Sequence, residues 1–340
     1  MKYIKHLMLS ALVLASFTSC NDDDTEYTFT PKSLVTIDNV SESAITEGES
    51  VTVTLTVDKP FKETLDFKLE MISGGDNSDY TVGNDPTDPN SATTADDGFG
   101  SQGYLVQVPA YASSYTFQIN SVLDLDVEGT EEYTFKLTNT RNGQGLINGN
   151  NIIKFDVTNY TDDNMGIRLS WAKDETYQYL KENVILAIDN ETGLEYVYTD
   201  DDEILSDTKD LCGVVDYDVY VAGANVSAYT GDCPEYIITG QSNPTEVLAD
   251  GSYDVIVDLW DFDLNFDDDE SLVGSFAIPF EIEIAKTGQF HTSISYPSLY
   301  FSYSDTSSAT GGGEKVVATV VVVGGKYTVY NNLGELVAQE

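Results

Sequence analysis

Apolar and polar residues alternate along much of this 340-residue chain. Val51-Thr52-Val53-Thr54-Leu55-Thr56-Val57 sets apolar side chains on one side of an extended segment and threonines on the other. Segments 115–119, 133–137, 153–157 and 253–257 follow the same period of two. Successive side chains of an extended backbone point to opposite sides, so this period marks strands with one buried face. Helical period is nearly absent. Residues 174–181 fit a helix or a loop equally well. Short strands separated by turn residues predict an all-β chain of two tandem Ig-like, Greek-key β-sandwiches. Val316 to Val323 reads as a buried strand, and Gly324-Gly325 as the turn of a hairpin over 315–337. Two strands alone are marginal, so this hairpin is expected to pair back onto the second sandwich.

The chain starts differently. Lys2 and Lys5 precede an apolar run from Leu7 to Phe17, which is too short to span a bilayer. That is the pattern of a secretory signal peptide. Phe17-Thr18-Ser19-Cys20 resembles a bacterial lipobox, which implies a lipid on Cys20 and a mature chain beginning there. Asn21-Asp22-Asp23-Asp24 resembles the surface-export signal of Bacteroidota lipoproteins, implying an outer-membrane anchor that faces outward. An ordinary cleaved signal with a cysteine near the cut is the alternative. The expected layout is a signal over 1–19, a lipidated cysteine and polar tether over 20–32, one sandwich over 33–164 and a second over 165–340. Residues 81–103, rich in Asp, Asn, Gly, Thr and Pro, read as a long loop.

Charge narrows the partners. The 58 acidic residues against 16 basic ones give a net charge of −42. Such a surface repels nucleic acid and anionic lipid and attracts cations. Solubility accounts for the charge as well. With 22 Tyr and 14 Phe the chain has enough apolar material to fold, so the acids decorate domains rather than a disordered polymer. Of the three cysteines, Cys20 goes to lipid, leaving Cys212 and Cys233 as a pair in an oxidising compartment. In the chain-entropy model that loop closure contributes about 3 kcal/mol. His291 is the only histidine outside the signal, so neither a histidine cluster nor a cysteine-rich metal site can form.

Glu47-Gly48-Glu49 stands before the first alternating strand, and Asp79-Tyr80 closes the next hairpin region. Asp124 lies four residues before Glu128-Gly129-Thr130-Glu131-Glu132-Tyr133, and Asp162-Asp163 follows the last strand. In this order and spacing, residues 34–163 resemble the Calx-β domain. The long loop and a Pro109-Ala110 turn, where the family usually has Pro-Gly, depart from its pattern. The resemblance implies a Ca²⁺ site at one end of the sandwich, formed by Glu47, Asp79, Asp124, Glu128, Asp162 and Asp163. Ca²⁺ takes six to eight oxygens, which loops from one sandwich end can supply. The same acids also serve as turn formers and solvated strand ends. The family's triple Asp is here Asp162-Asp163-Asn164.

In the second domain, Asp216-Tyr217-Asp218, then Pro234-Glu235, then Gly251-Ser252-Tyr253-Asp254-Val255 resemble the succession in pre-peptidase C-terminal-like β-sandwiches. Asp261, Asp263 and Asn265 begin like an EF-hand loop, but Phe266 takes the glycine position and Leu272 that of the bidentate Glu. A looser Ca²⁺ site and a solvated acidic loop both fit this run. Trp260, flanked by Asp258 and Asp261, is a candidate sugar-stacking residue. The commoner role for a sandwich tryptophan is burial in the core.

Catalysis has little support, and carboxylate pairs suited to glycoside hydrolysis are too abundant among 58 acids to be a signal. The chain lacks a G-x-S-x-G elbow, an H-E-x-x-H pair and a phosphate-cradling glycine loop. Two non-catalytic readings remain: an adhesion or interaction lipoprotein, and a glycan-binding accessory lipoprotein of a nutrient-uptake system. Cys20→Ser is expected to move the protein from membrane to soluble fractions. Retention of the variant in membranes would rule out the lipid anchor.

Overall fold

Strand Ser50–Val57 shows how the alternation becomes structure. Val51, Val53 and Leu55 are fully buried and the intervening threonines half-buried. The computed structural model describes residues 31–340, except 76, 85–90, 96–99, 101, 141–143, 173–185, 190–194, 198–210, 263–269, 273–274 and 303–312. The signal, Cys20 and the 174–181 segment therefore lie outside the described residues.

In sheet order, the first five-stranded sheet is Gly145–Ile147, Ser33–Val40, Ser50–Val57, Ser114–Ser121 and Tyr80–Gly83. A six-stranded sheet covers it: Ala44–Thr46, Ile152–Thr158, Thr130–Asn139, Leu65–Ser73, Gly103–Val108 and Thr94–Ala95. Their inner faces share one core. In it Phe135 packs edge-on to Tyr80 at 4.8 Å and stacks on Phe155 at 5.7 Å. The entering chain serves both sheets. Ser33–Val40 pairs antiparallel with Ser50–Val57, and after the Ser41 bend Ala44–Thr46 runs parallel with Ile152–Thr158.

The second sandwich sets Glu235–Ile237, Met165–Ser170, Phe280–Lys286 and Phe290–Tyr296 against a six-stranded sheet. That sheet runs Ser227–Ala228, Val215–Val221, Gly251–Phe262, Glu314–Val323, Lys326–Asn331 and Leu336–Gln339. Trp171 is buried in its core, where the indole Nε1 donates to Val215 O at 3.1 Å. Two small sheets complete it: Leu186–Asp189 with Glu195–Val197 and Glu270–Leu272, and Ser275–Ala277 with Tyr300–Ser302. The one helical turn among the described residues is Leu211–Val214. The molecule is all-β, as the alternation predicts. No helix among the described residues is long and apolar enough to cross a membrane.

The closing hairpin pairs back through Glu314–Val323 onto Gly251–Phe262. Gly324 and Gly325, with φ of 61° and 75°, supply the left-handed pair that such a two-residue turn requires. Cys212 and Cys233 are joined, with Cα atoms 5.6 Å apart. Three expectations need correction. Strand Tyr80–Gly83 takes up the start of the 81–103 loop, and Thr94–Ala95 pairs with Gly103–Val108. The Tyr80 and Val82 alternation is too brief to stand out in sequence. Glu314–Val323 buries only one face, leaving Val316 and Val323 exposed. Trp260 is 44% exposed rather than in the core. A bulge opposite Asp216 and Tyr217 inserts it into the outer face of its strand.

The sandwiches meet through a small apolar cluster of Leu125, Ile238 and Ala285, flanked by Leu123 and Tyr236. Gly166 leaves room for Leu125, since a Cβ there would collide with the leucine. Gly288 has φ of 65° and backs onto the Tyr160 carbonyl. Gly288→Ala should therefore lose more stability than Gly240→Ala, which has φ of 85° but open space around it. The left-handed conformation alone costs about 1–3 kcal/mol for a non-glycine residue. Denaturant unfolding of both variants checks this, and equal losses would mean that the Tyr160 contact contributes nothing.

Candidate functional site

The junction end of the first sandwich gathers carboxylates because several strands end there. Glu47 sits on the turn between Ala44–Thr46 and Ser50–Val57, where Gly48 takes φ of 81°. Asp79 precedes Tyr80–Gly83, and Asp124 and Glu128 stand on the segment leading into Thr130–Asn139. That segment is held in shape. Asp124 Oδ1 accepts from Asp126 N at 2.8 Å. Asn159 Oδ1 accepts from Gly129 N at 2.8 Å, while its Nδ2 donates to Asp126 O at 2.8 Å.

Glu47 is 7% exposed and accepts a hydrogen bond from Tyr160 N at 3.1 Å. Its carboxyl is pushed up to about 7, first by burial and then by the charges of Asp124, Glu128 and Asp79. Glu128 is also pushed up to about 7, by desolvation and then by Glu131, Asp124, Asp79 and Asp126. It is exposed on its outer side, so water screens much of that repulsion. Asp124 is raised mainly by burial. The charges that act on Glu47 and Glu128 are all negative.

The structure brings Glu47, Asp79, Asp124 and Glu128 into one electrostatic neighbourhood, but not into a closed ligand cage. No three of them place their oxygens within 4.8 Å of one another. Asp162 and Asp163 do not join them. Asp162 Oδ1 accepts from Asn164 N at 2.8 Å, and Asp163 Oδ1 meets Lys286 Nζ at 3.1 Å and Gln289 Nε2 at 3.1 Å. These two acids lie beyond the last strand, where the chain already fastens onto the second sandwich.

The second sandwich completes a cleft of about 550 Å³ over Asp79, Asp124 and Glu128, contributing Arg168, Asp232, Pro234 and Tyr236, while Glu47 lines a separate pocket with Tyr160 and Thr239. Tyr236 Oη donates to Leu123 O at 3.4 Å across the junction. His291 lies between the domains, with Nδ1 3.2 Å from Asp126 and Nε2 3.6 Å from Glu283. Its pKa is raised, by Glu283 first and also by Asp126. Sequence reasoning missed Asn159, Arg168 and Tyr236. Their roles arise only when two sandwiches meet. Trp260 lines a different pocket, with Asp216, Asp218 and Tyr229. Asp258, on the same strand as Trp260, is buried opposite Asp218, Asp261 is half-buried opposite Asp216, and residues 263–269 of the acidic run lie outside the described residues.

No protein-family model matches the chain, and no curated protein matches it. Among solved structures, the apo form of the Calx CBD1 domain is 14% identical with a TM-score of 0.24, covering 37% of this chain and 96% of that one. CBD12 from CALX1.2 is 10% identical with a TM-score of 0.26, covering 74% and 79%. A two-domain protein of unknown function from Bacteroides fragilis is 9% identical with a TM-score of 0.24, covering 49% and 79%. Likenesses this remote fix neither ligand nor partner.

The raised acids give a pH dependence. Folded Glu47 keeps a proton that the unfolded chain releases between about 4.5 and about 7, so stability falls as pH rises through that window. Melting in chelator should show this fall, and Glu47→Gln should flatten it. An undiminished slope in the variant would assign the effect to other groups.

Proposed function

We propose that the chain is a non-catalytic, surface-anchored interaction or adhesion lipoprotein. Lipid on Cys20 holds it to the outer membrane, facing outward. Its first sandwich is a Calx-β-like module stabilised by Ca²⁺ at Glu47, Asp79, Asp124 and Glu128. The observation that carries this reading is the convergence of these acids, two of them pushed up to about 7, with only negative charges acting on those two. A divalent cation would relieve the repulsion by drawing the oxygens to about 2.3–2.6 Å. Because the second sandwich closes over the same cleft, the ion would also stiffen the angle between the domains.

A second reading, a glycan-binding accessory lipoprotein, rests on Trp260 and Tyr229. They are 44% and 58% exposed and line one acidic pocket. Exposed aromatic faces with carboxylates nearby suit sugar stacking and hydroxyl hydrogen bonding.

Thermal melts in chelator and in millimolar Ca²⁺ test the proposal. A site of micromolar affinity adds about 4 kcal/mol at that concentration. The gain should shrink sharply in Asp124→Asn with Glu128→Gln. An absent gain, or one unchanged in the double variant, would overturn the junction site. It would leave the glycan reading, to be tested on a glycan array with Trp260→Ala as control.

A further inference from the structure

We propose that Asp216, Asp218 and Glu235 form a binding site for a hard divalent cation of the Ca²⁺ class, separate from the junction carboxylates. Asp216 and Asp218 project from the outer face of Val215–Val221, because Tyr217 and Val219 between and beyond them are fully buried. Glu235 opens strand Glu235–Ile237, two residues after Cys233. The bond from Cys233 to Cys212 fixes that segment beside the start of Val215–Val221. Each of the three carboxylates places an oxygen within 4.8 Å of the other two. Oxygens shared by one Ca²⁺ at 2.3–2.6 Å lie at most about 5 Å apart, so the three are close enough for a single ion to bridge them.

The lone pairs are available. Asp218 is 6% exposed, lines the pocket, and its carboxylate has no hydrogen-bond or ion-pair partner among the described residues. The Oδ1 of Asp216 is buried and likewise unpartnered. Glu235, fully buried, is aimed by its loop: Oε1 accepts from Thr230 N at 2.9 Å and Gly231 N at 2.8 Å. Its Oε2 accepts only from Thr230 Oγ1, at 2.8 Å, and so keeps a lone pair. Among the described residues, no lysine or arginine lines the pocket. Two buried acids and a half-buried one without a base beside them are relieved by a proton on one of them or by a cation. Burial and then Asp216, Glu235 and Asp258 push the Asp218 carboxyl up to about 7, consistent with a missing positive charge. Three carboxylates and no nitrogen or sulfur donor select a hard, oxygen-seeking ion. The pocket opens between Tyr229 and Trp260, leaving a path for the ion and for water to fill the remaining positions.

Trp260 makes the site readable. Tb³⁺, a luminescent Ca²⁺ mimic, is added to the full chain and excited through tryptophan. Emission is expected in the wild type, displaced by Ca²⁺, and retained in Asp124→Asn with Glu128→Gln, which removes two junction acids. It should be lost in Asp216→Asn with Asp218→Asn, with near-UV circular dichroism confirming the fold. If that variant misfolds, Glu235→Gln replaces it. Emission that survives loss of these carboxylates, or never appears, overturns the site. Calcium calorimetry on the same variants separates the two proposals. Heat lost only in the junction variant sinks this one alone, and heat lost only in the Asp216 and Asp218 variant sinks the junction site alone.

Discussion

Like charge in partly dry surroundings is the constraint around which this molecule is organised. A chain with 58 acidic and 16 basic residues cannot pair its carboxylates with its own cations. The few buried bases are committed elsewhere. Lys68 lies against Glu70 at 3.4 Å, and Lys286 meets Asp163, Glu340 and the Gly325 carbonyl. The remaining buried acids are met by backbone N–H groups, as at Glu47 and Glu235, by protons, or by ions from solution. Burying a charge without such compensation costs several kcal/mol. Among the described residues, that compensation falls short at the Glu47 cluster and at Asp218.

Lys286 shows how a single base can organise a boundary. It contacts the inter-domain segment at Asp163, the end of the chain at Glu340 and the hairpin turn at Gly325. Leu125 seated against Gly166, and Gly288 backed onto Tyr160, add contacts that leave no room for a Cβ. The sandwiches are thus joined by shape as much as by charge. A ligand at the Glu47 cluster would act on both at once.

The architecture was legible wherever alternation was strict, as in Ser50–Val57 and Ile152–Thr158. It failed at Tyr80–Gly83, where two buried residues are too few to make a period. The set Glu47, Asp79, Asp124 and Glu128 came from the Calx-β resemblance, and the structure gathers these four because all of them flank strands at one end. Asp162 and Asp163 sit equally close in sequence to a strand end, yet the Asp162 carboxylate turns back onto Asn164, and Asp163 meets Lys286 and Gln289, more than 100 residues away. No local pattern reports that. The exposure of Trp260 comes from one inserted residue in a bulge, which alternation hides. Asp216 and Asp218 carry the period of two in plain view. Glu235 reaches them only through the disulfide-tied loop, a non-local fact.

The course of the first sandwich's outer strands governs how it would carry mechanical load. The chain enters at Ser33 beside Lys59 and Asp58, at the end away from the Glu47 turn. It leaves at Thr158, paired with Thr46 next to that turn. A pull applied before Ser33 and taken up by the second sandwich therefore runs along the strands. Ladder hydrogen bonds lie across the strand direction, so such a pull shears many of them together rather than opening them one by one. The entering segment is bonded into both sheets, so tension is divided between the two layers. The first sandwich is oriented as a tensile link whose strength resides in its backbone ladders.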